Sequence, residues 1–236
     1  QLLEAIDALE DMFRLRQHMA VVEMPLADLA GKRVLEIGPG AAGHLPNLLG
    51  RADNLHYTGL DASRDMVLLA RERYLGETRA AFIHGELTQA PLAPTSMDRI
   101  VAVNVVYFWQ PLAPALQALF LLLRPGGTLA ISVPRWLPEV INWKLSPDYH
   151  HAEGGHIRIY TDHELIDKVT KAGRFNDGTP GDAMIFEGKD YAHGLHAPYW
   201  WIKCAVGVEN DEHPAVKAYH KLLVWEIMKQ PTALKL

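Results

Sequence analysis

The 236-residue sequence predicts an α/β protein: a seven-stranded, mostly parallel sheet with helices on both faces. Three observations carry that prediction. Apolar, β-prone runs alternate with segments of helical period, the loops between them are short, and a glycine-rich turn follows the first run. Such alternation reads as βαβ units joined by right-handed crossovers.

Within residues 1–30, Leu2, Leu3, Ile6, Leu9, Met12 and Phe13 recur at helical spacing and predict an amphipathic helix. "KRVLEIG" predicts the first strand, because Val34, Leu35 and Ile37 suit a strand buried on both faces. "GHLPNLLGR" is a short helix, "LHYTGLD" a second strand and "SRDMVLLARERYL" a helix. "RAAFIHGE" and "MDRIVAVNVVYFW" are the third and fourth strands, "PALQALFLLL" a helix and "TLAISVP" a fifth strand. Pro125 and Gly126 fit the second and third positions of a type II turn over Arg124 to Gly127, which carries no site role.

Residues 135–160 hold Trp136, Trp143, Tyr149, His150, His151, His156 and Tyr160 with little periodicity, and predict a cap or acceptor loop. "TDHELIDKVTKAG" then predicts a helix capped at Thr161 or Asp162. "DAMIFEG" and "YWWIKCAVGV" predict two further strands, and residues 209–236 a C-terminal helix. One domain over 1–236 is expected, with 31–134 as its ligand-binding core and 161–208 as its final helix and strands. Val216, Tyr219, Leu222, Leu223, Ile227 and Met228 mark a buried stripe on the last helix, against the sheet, an acceptor chain or a homodimer partner.

Composition narrows the function classes. The hydrophobic fraction of 49% is that of an ordinary globular chain. A net charge of −5 provides no field to attract nucleic acid or an anionic membrane. The longest apolar runs are too short to span a bilayer. One cysteine, Cys204, and no visible secretory signal lead to an expected cytoplasmic location.

The site is expected at the carboxyl edge of the sheet, where open α/β sheets hold ligands. Gly38 and Gly40 let a ligand approach the backbone closely. Asp61 ends the second strand, where a carboxylate accepts hydrogen bonds from ribose hydroxyls or caps the next helix. Gly38, Gly40 and Gly43 also align with the dinucleotide pattern, so a nicotinamide oxidoreductase stays open. Glu36 shifts the balance, because an acid before the turn repels pyrophosphate and suits the ammonium group of a methionine moiety.

"VLEIGPGAAG", "TGLDAS", "HGELTQAPL", "DRIVAVNVVYFW" and "LLRPGGTLAISVP", in that order, resemble the successive motifs of class I S-adenosylmethionine-dependent methyltransferases. The nearest branch is that of the ubiquinone- and menaquinone-type enzymes. The resemblance spans about residues 30 to 134 and implies a Rossmann-like sheet finished by an antiparallel strand. By resemblance, Glu36, Gly38 and Gly40 line the methionine part of the cofactor S-adenosyl-L-methionine, and Asp61 binds its ribose. Ala62 and Met66 flank the adenine, Glu86 approaches its amino group, and Asn104 meets the amino-acid end through its backbone. Two departures stand out: Ala42 occupies the place of a frequent third glycine, and "NVVY" replaces the Asn-Pro-Pro-Tyr of amino-group methylators.

The expected acceptor is a small lipophilic molecule methylated at oxygen, because aromatic and aliphatic residues crowd the cap and tail. Tyr107 and Trp109, after the fourth strand, either line the acceptor pocket or pack the core. A hydroxyl acceptor needs a base, and His156, His151, His193 and His196 are the candidates. The spacing of His193 and His196 hints at a metal, but without nearby cysteines none is assigned. A cofactor-binding but non-catalytic partner subunit is the remaining alternative.

Overall fold

A computed structural model describes residues 28–150, 158–172, 184–189 and 196–229. The predicted N-terminal helix falls almost wholly on residues outside that set. The apolar runs become β1 (Arg33–Ile37), β2 (His56–Asp61), β3 (Ala80–His84), β4 (Met97–Val103) and β5 (Leu123–Ser132). Between them lie α1 (Leu45–Leu49), α2 (Arg64–Arg73) and α3 (Leu112–Leu122). All pairings are parallel, in the order β3-β2-β1-β4-β5. Chain order therefore reverses between β1 and β4. At such a reversal the loops after the two strands diverge and leave a crevice at the carboxyl edge.

Val34 and Leu35 point to opposite faces of β1, and both are buried. On one face a cluster joins Val34, Tyr57, Phe82, Val101 and Val103 to Leu45, Leu48, Val67 and Ala70 of the helices. Ser63 caps α2, its Oγ accepting the Met66 N–H at 3.4 Å, and Asp65 and Arg71 suit the two ends of the helix dipole.

β3 lies at the edge of the described sheet. Its Arg79 carbonyl accepts from Tyr57 N–H at 2.8 Å and its Gly85 N–H donates to the Asp61 carbonyl at 3.0 Å. Parallel pairing alternates, so Ala80 and Phe82 turn their backbone groups outward. There the Ala80 N–H meets the Glu77 carbonyl at 3.3 Å, and the Phe82 carbonyl accepts both Nε and Nη2 of Arg71, at 3.1 and 2.6 Å.

The described residues group into two compact units. One holds the sheet. The other includes α4 (Trp136–Leu145), α6 (His196–Val206) and α7 (Pro214–Lys229); α5 (Asp162–Lys171) divides between them. In the second unit Tyr149, Cys204 and Val208 form a core with Trp143 and Trp200 against it. Buried Glu139 accepts from Asn142 Nδ2 at 3.2 Å and from the Tyr149 hydroxyl at 3.0 Å. Burial, reinforced by the Glu139 charge, pushes the Tyr149 phenol well above its ordinary pKa.

Several expectations are corrected. The sheet has five strands among the described residues, not seven, and none is antiparallel. "YWWIKCAVGV" is not a strand but the body of α6. Trp200 and Cys204, one helical turn apart, pack on Tyr149, so helical packing outweighs the β preference of the aromatic residues. Met184 to Gly188, from "DAMIFEG", run without strand geometry, and Ile185 is 86% exposed. The predicted cap loop contains α4 and a single-turn 3₁₀ helix over Pro147–His150. Pro138 is tolerated in the first turn of α4, and the polar Glu139 and Asn142 on its buried side hide the apolar period. The fourth strand stops at Val103, and Val106–Phe108 form a 3₁₀ turn. Met97 pairs with Leu123 but Arg99 with Thr128, so Arg124 to Gly127 bulge from the ladder, with Gly126 at φ +74° as the turn requires. On α7, Val216 and Leu223 are buried, whereas Leu222 is exposed.

Candidate cofactor site

β1 delivers the chain to the sheet's carboxyl edge, and residues 38–43 turn there. Gly38 (φ +69°) donates its N–H to the Leu60 carbonyl at 2.8 Å, which ties the turn to β2. A Cβ at Gly38 would lie 2.5 Å from Val105 Cγ1, so a side chain there forces the loop after β4 away. Gly40 (φ +57°) is different: a Cβ would meet only the Met66 sulfur, at 4.0 Å. The turn therefore offers open backbone at Gly40.

Asp61, half-buried at the end of β2, faces that turn. Its Oδ2 accepts the Gly40 N–H at 2.9 Å and its Oδ1 the Ser63 N–H at 2.8 Å. The helix cap itself falls to Ser63, so Asp61 is not the cap. A carboxylate offers about four lone-pair sites, so both oxygens keep capacity for further donors.

The carbonyls of the turn are held from α2. Arg73 Nη1 donates to the Ala41 carbonyl at 3.3 Å and the Tyr74 hydroxyl to the Ala42 carbonyl at 2.5 Å. Ala42 is fully buried at φ +52°, a left-handed conformation that glycine adopts more readily than alanine. Gly43, by contrast, has a negative φ and stands exposed.

Glu36 sits one residue before the end of β1, only 2% exposed. Its Oε2 accepts the Tyr57 hydroxyl at 2.8 Å and lies 2.7 Å from Nε2 of buried His44. Burial first, then the Glu36 charge, raises the Tyr57 phenol well above its ordinary pKa. Sequence reasoning missed His44 and Tyr57. The available signal was the pair of polar rings at the turn's far end and at a core position of β2.

Asn104 follows β4 at φ +53°, a conformation uncommon outside glycine and tolerated best by asparagine. Its N–H donates to the Ser132 carbonyl at 3.1 Å, and the Ser132 hydroxyl to its Oδ1 at 3.4 Å. Tyr107 is buried, Trp109 half-buried and Phe108 exposed. Ala62 and Met66 lie exposed at the start of α2, and Glu86 is exposed after β3. His84, in register with Asp61, brings Nε2 to 3.2 Å from the Ala62 carbonyl, a neighbour the sequence reading did not single out. The structure thus brings Gly38, Gly40, Asp61 and Met66 together, with Glu36 beneath the turn and Asn104 on the adjoining strand end.

Of the histidines, His156, His151 and His193 lie outside the described residues. His196 starts α6, half-buried, its Nε2 accepting the Trp200 indole N–H at 3.0 Å. Among the described residues no three metal-ligating side chains converge, and no helix is long and apolar enough to cross a membrane.

A family model described as "Methyltransferase domain" matches residues 34–127. Trans-aconitate 2-methyltransferase of Rhodopseudomonas palustris is 32% identical over 147 residues, 62% of this chain and 55% of that protein. Phthiotriol/phenolphthiotriol dimycocerosates methyltransferase 1 of Mycobacterium ulcerans is 29% identical over 117 residues, 50% of this chain and 43% of that one. The chain spans about half the length of the curated relatives it matches. A crystal structure of an S-adenosylmethionine-dependent methyltransferase from Aquifex aeolicus superposes with TM-score 0.56 at 20% identity, over 80% of this chain and 90% of that one, which shows the fold. Fold, turn and matched segment together make the chain similar to the class I S-adenosylmethionine-dependent methyltransferases, whose cofactor is S-adenosylmethionine.

Proposed function

We propose that the protein is an enzyme that methylates a small lipophilic acceptor at oxygen, using S-adenosylmethionine. The single observation that carries the cofactor half is the Asp61 carboxylate held against Gly40 at the strand reversal. The residues fit a nucleoside ligand: open backbone at Gly40, spare acceptor capacity on Asp61, and a left-handed Asn104 at the neighbouring strand end.

In this reading Asp61 holds the ribose hydroxyls, Ala62 and Met66 flank the adenine, and Glu86 approaches its amino group. Glu36, Gly38, Gly40 and Asn104 line the amino-acid end. When bound, the cofactor supplies an activated methyl group on a sulfonium. The chain's own work is to position acceptor and cofactor and exclude water. Tyr107 and Trp109 bound the acceptor side, and their aromatic faces suit an apolar molecule near a cation. A hydroxyl acceptor also gives up a proton, and a histidine among His156, His151, His193 and His196 takes it.

The lipophilic acceptor is supported by the aromatic residues of α4 and α6 and by the relative named for phthiotriol dimycocerosates. The relative named for trans-aconitate favours a polar acid as the competing acceptor class. The quinone-type branch is one member of the lipophilic class. A cytoplasmic location is part of the proposal, supported by the single cysteine.

Asp61→Ala should weaken S-adenosylmethionine binding about ten- to a hundred-fold, the loss of a charge-assisted contact of about 1.5–3 kcal/mol, while the protein stays folded. An unchanged dissociation constant in calorimetry overturns the ribose assignment. Incubation with methyl-labelled cofactor and a panel of lipophilic alcohols, phenols and small polyacids tests the acceptor. Label transfer only to polyacids would replace the lipophilic class.

A further inference from the structure

Glu36 and His44 stand at the two ends of the glycine turn, and the 2.7 Å contact between them closes it like a clasp. Both side chains are buried, with 6% and 3% exposure for His44 and Glu36. Tyr57, from the neighbouring strand, donates to the same Oε2 and fixes the carboxylate against β2. Between those ends four residues of the turn are tethered to the surrounding elements. Gly38 is held by Leu60, Gly40 by Asp61, Ala41 by Arg73 and Ala42 by Tyr74. Three of its residues, Gly38, Gly40 and Ala42, keep left-handed backbone, and Ala42 does so with a side chain. Such a conformation persists only when its surroundings over-determine it.

We propose that His44 is a positioning residue for cofactor binding. Its Nε2 locks the far end of the turn to Glu36, so the open backbone at Gly40 is set before any ligand arrives. His44 touches no ligand in this account and acts through the turn. A preset turn spares the ligand the ordering cost of the loop, and affinity rises accordingly. The role rests on the cofactor reading above.

The test compares His44→Leu, which keeps bulk and removes the polar nitrogen, with His44→Gln, whose amide can still reach Glu36. Calorimetry with S-adenosylmethionine should give about ten- to a hundred-fold weaker binding for His44→Leu, from a lost hydrogen bond to a buried charge. His44→Gln should bind close to wild type. In the ligand-free proteins, amide exchange across residues 38–43 should quicken in His44→Leu, while the amides of β4 keep wild-type rates. Wild-type affinity and exchange in a folded His44→Leu overturn the proposal. So does a rise in exchange as large in β4 as in the turn, because His44 is then a general core residue. If His44→Leu does not fold, His44→Gln and Tyr57→Phe decide: the proposal fails if Tyr57→Phe leaves exchange in the turn unchanged. A wild-type protein that binds no S-adenosylmethionine sinks the methyltransferase reading, whereas the exchange rates still decide the clasp.

Discussion

Tyr57 shows how much chemistry one buried side chain can hide from the sequence. In "LHYTGLD" it reads as a β-prone core residue, yet its hydroxyl ends on Glu36. Glycines and acids at a strand end announce a ligand turn, so Gly38, Gly40, Asp61 and Glu36 were legible. The partners of Glu36 were not, because a hydrogen bond between strands and across a turn leaves no periodic trace. Ala42 was legible only as a departure from a family pattern. Its φ of +52° gives the departure a physical meaning. The raised Tyr57 pKa has a measurable sign. Tyrosine in the unfolded chain ionises near pH 10, whereas the buried phenol keeps its proton to higher pH. The stability from this difference is complete below about pH 10 and is lost as pH rises beyond it. Urea unfolding between about pH 8 and 11 should therefore show wild-type stability falling more steeply than that of Tyr57→Phe. Tyr149, shifted in the same direction, leaves the variant some slope of its own. Parallel declines would mean that the phenol is not held as described.

Elements were legible in proportion to how clearly their periods survive. β1 to β3 and α1 to α3 follow the sequence closely because one face or both faces meet an apolar core. α6 was misread because Tyr, Trp, Ile and Val favour strands, while the deciding contacts, Trp200 on Tyr149 at 5.4 Å and Cys204 near Asn142, are distant in sequence. α4 was missed because its buried side carries Glu139 and Asn142. α7 tests the same logic. Val216 and Leu223 are each no more than 2% exposed, Tyr219 approaches Tyr199 of α6 with ring centroids 6.5 Å apart, and each large apolar side chain contributes about 1.5–3 kcal/mol on burial. Removing residues 212–236 should uncover the aromatic side of α6. The truncated protein should then bind a hydrophobic dye and aggregate on warming. A shortened chain that stays monodisperse and dye-free would show that α7 adds nothing to that core.

At the scale of the whole molecule, parallel order and strand reversal place the glycine turn, and both follow from the alternation of elements. Composition set the limits: a net charge of −5 over 236 residues left no reason to expect a polyanion partner. The remaining feature of consequence is β3, at the edge of the described sheet. An open edge strand is a template on which a neighbouring molecule can add its own strand. Here the Phe82 carbonyl, which would receive that neighbour, is taken twice by the Arg71 guanidinium. Arg71→Ala should leave cofactor affinity intact but make light scattering climb with protein concentration. Equal scattering by variant and wild type would show that other groups guard the edge. If the variant scatters as expected, one guanidinium of α2, placed on one carbonyl, sets the concentration at which molecules of this protein begin to stick to one another.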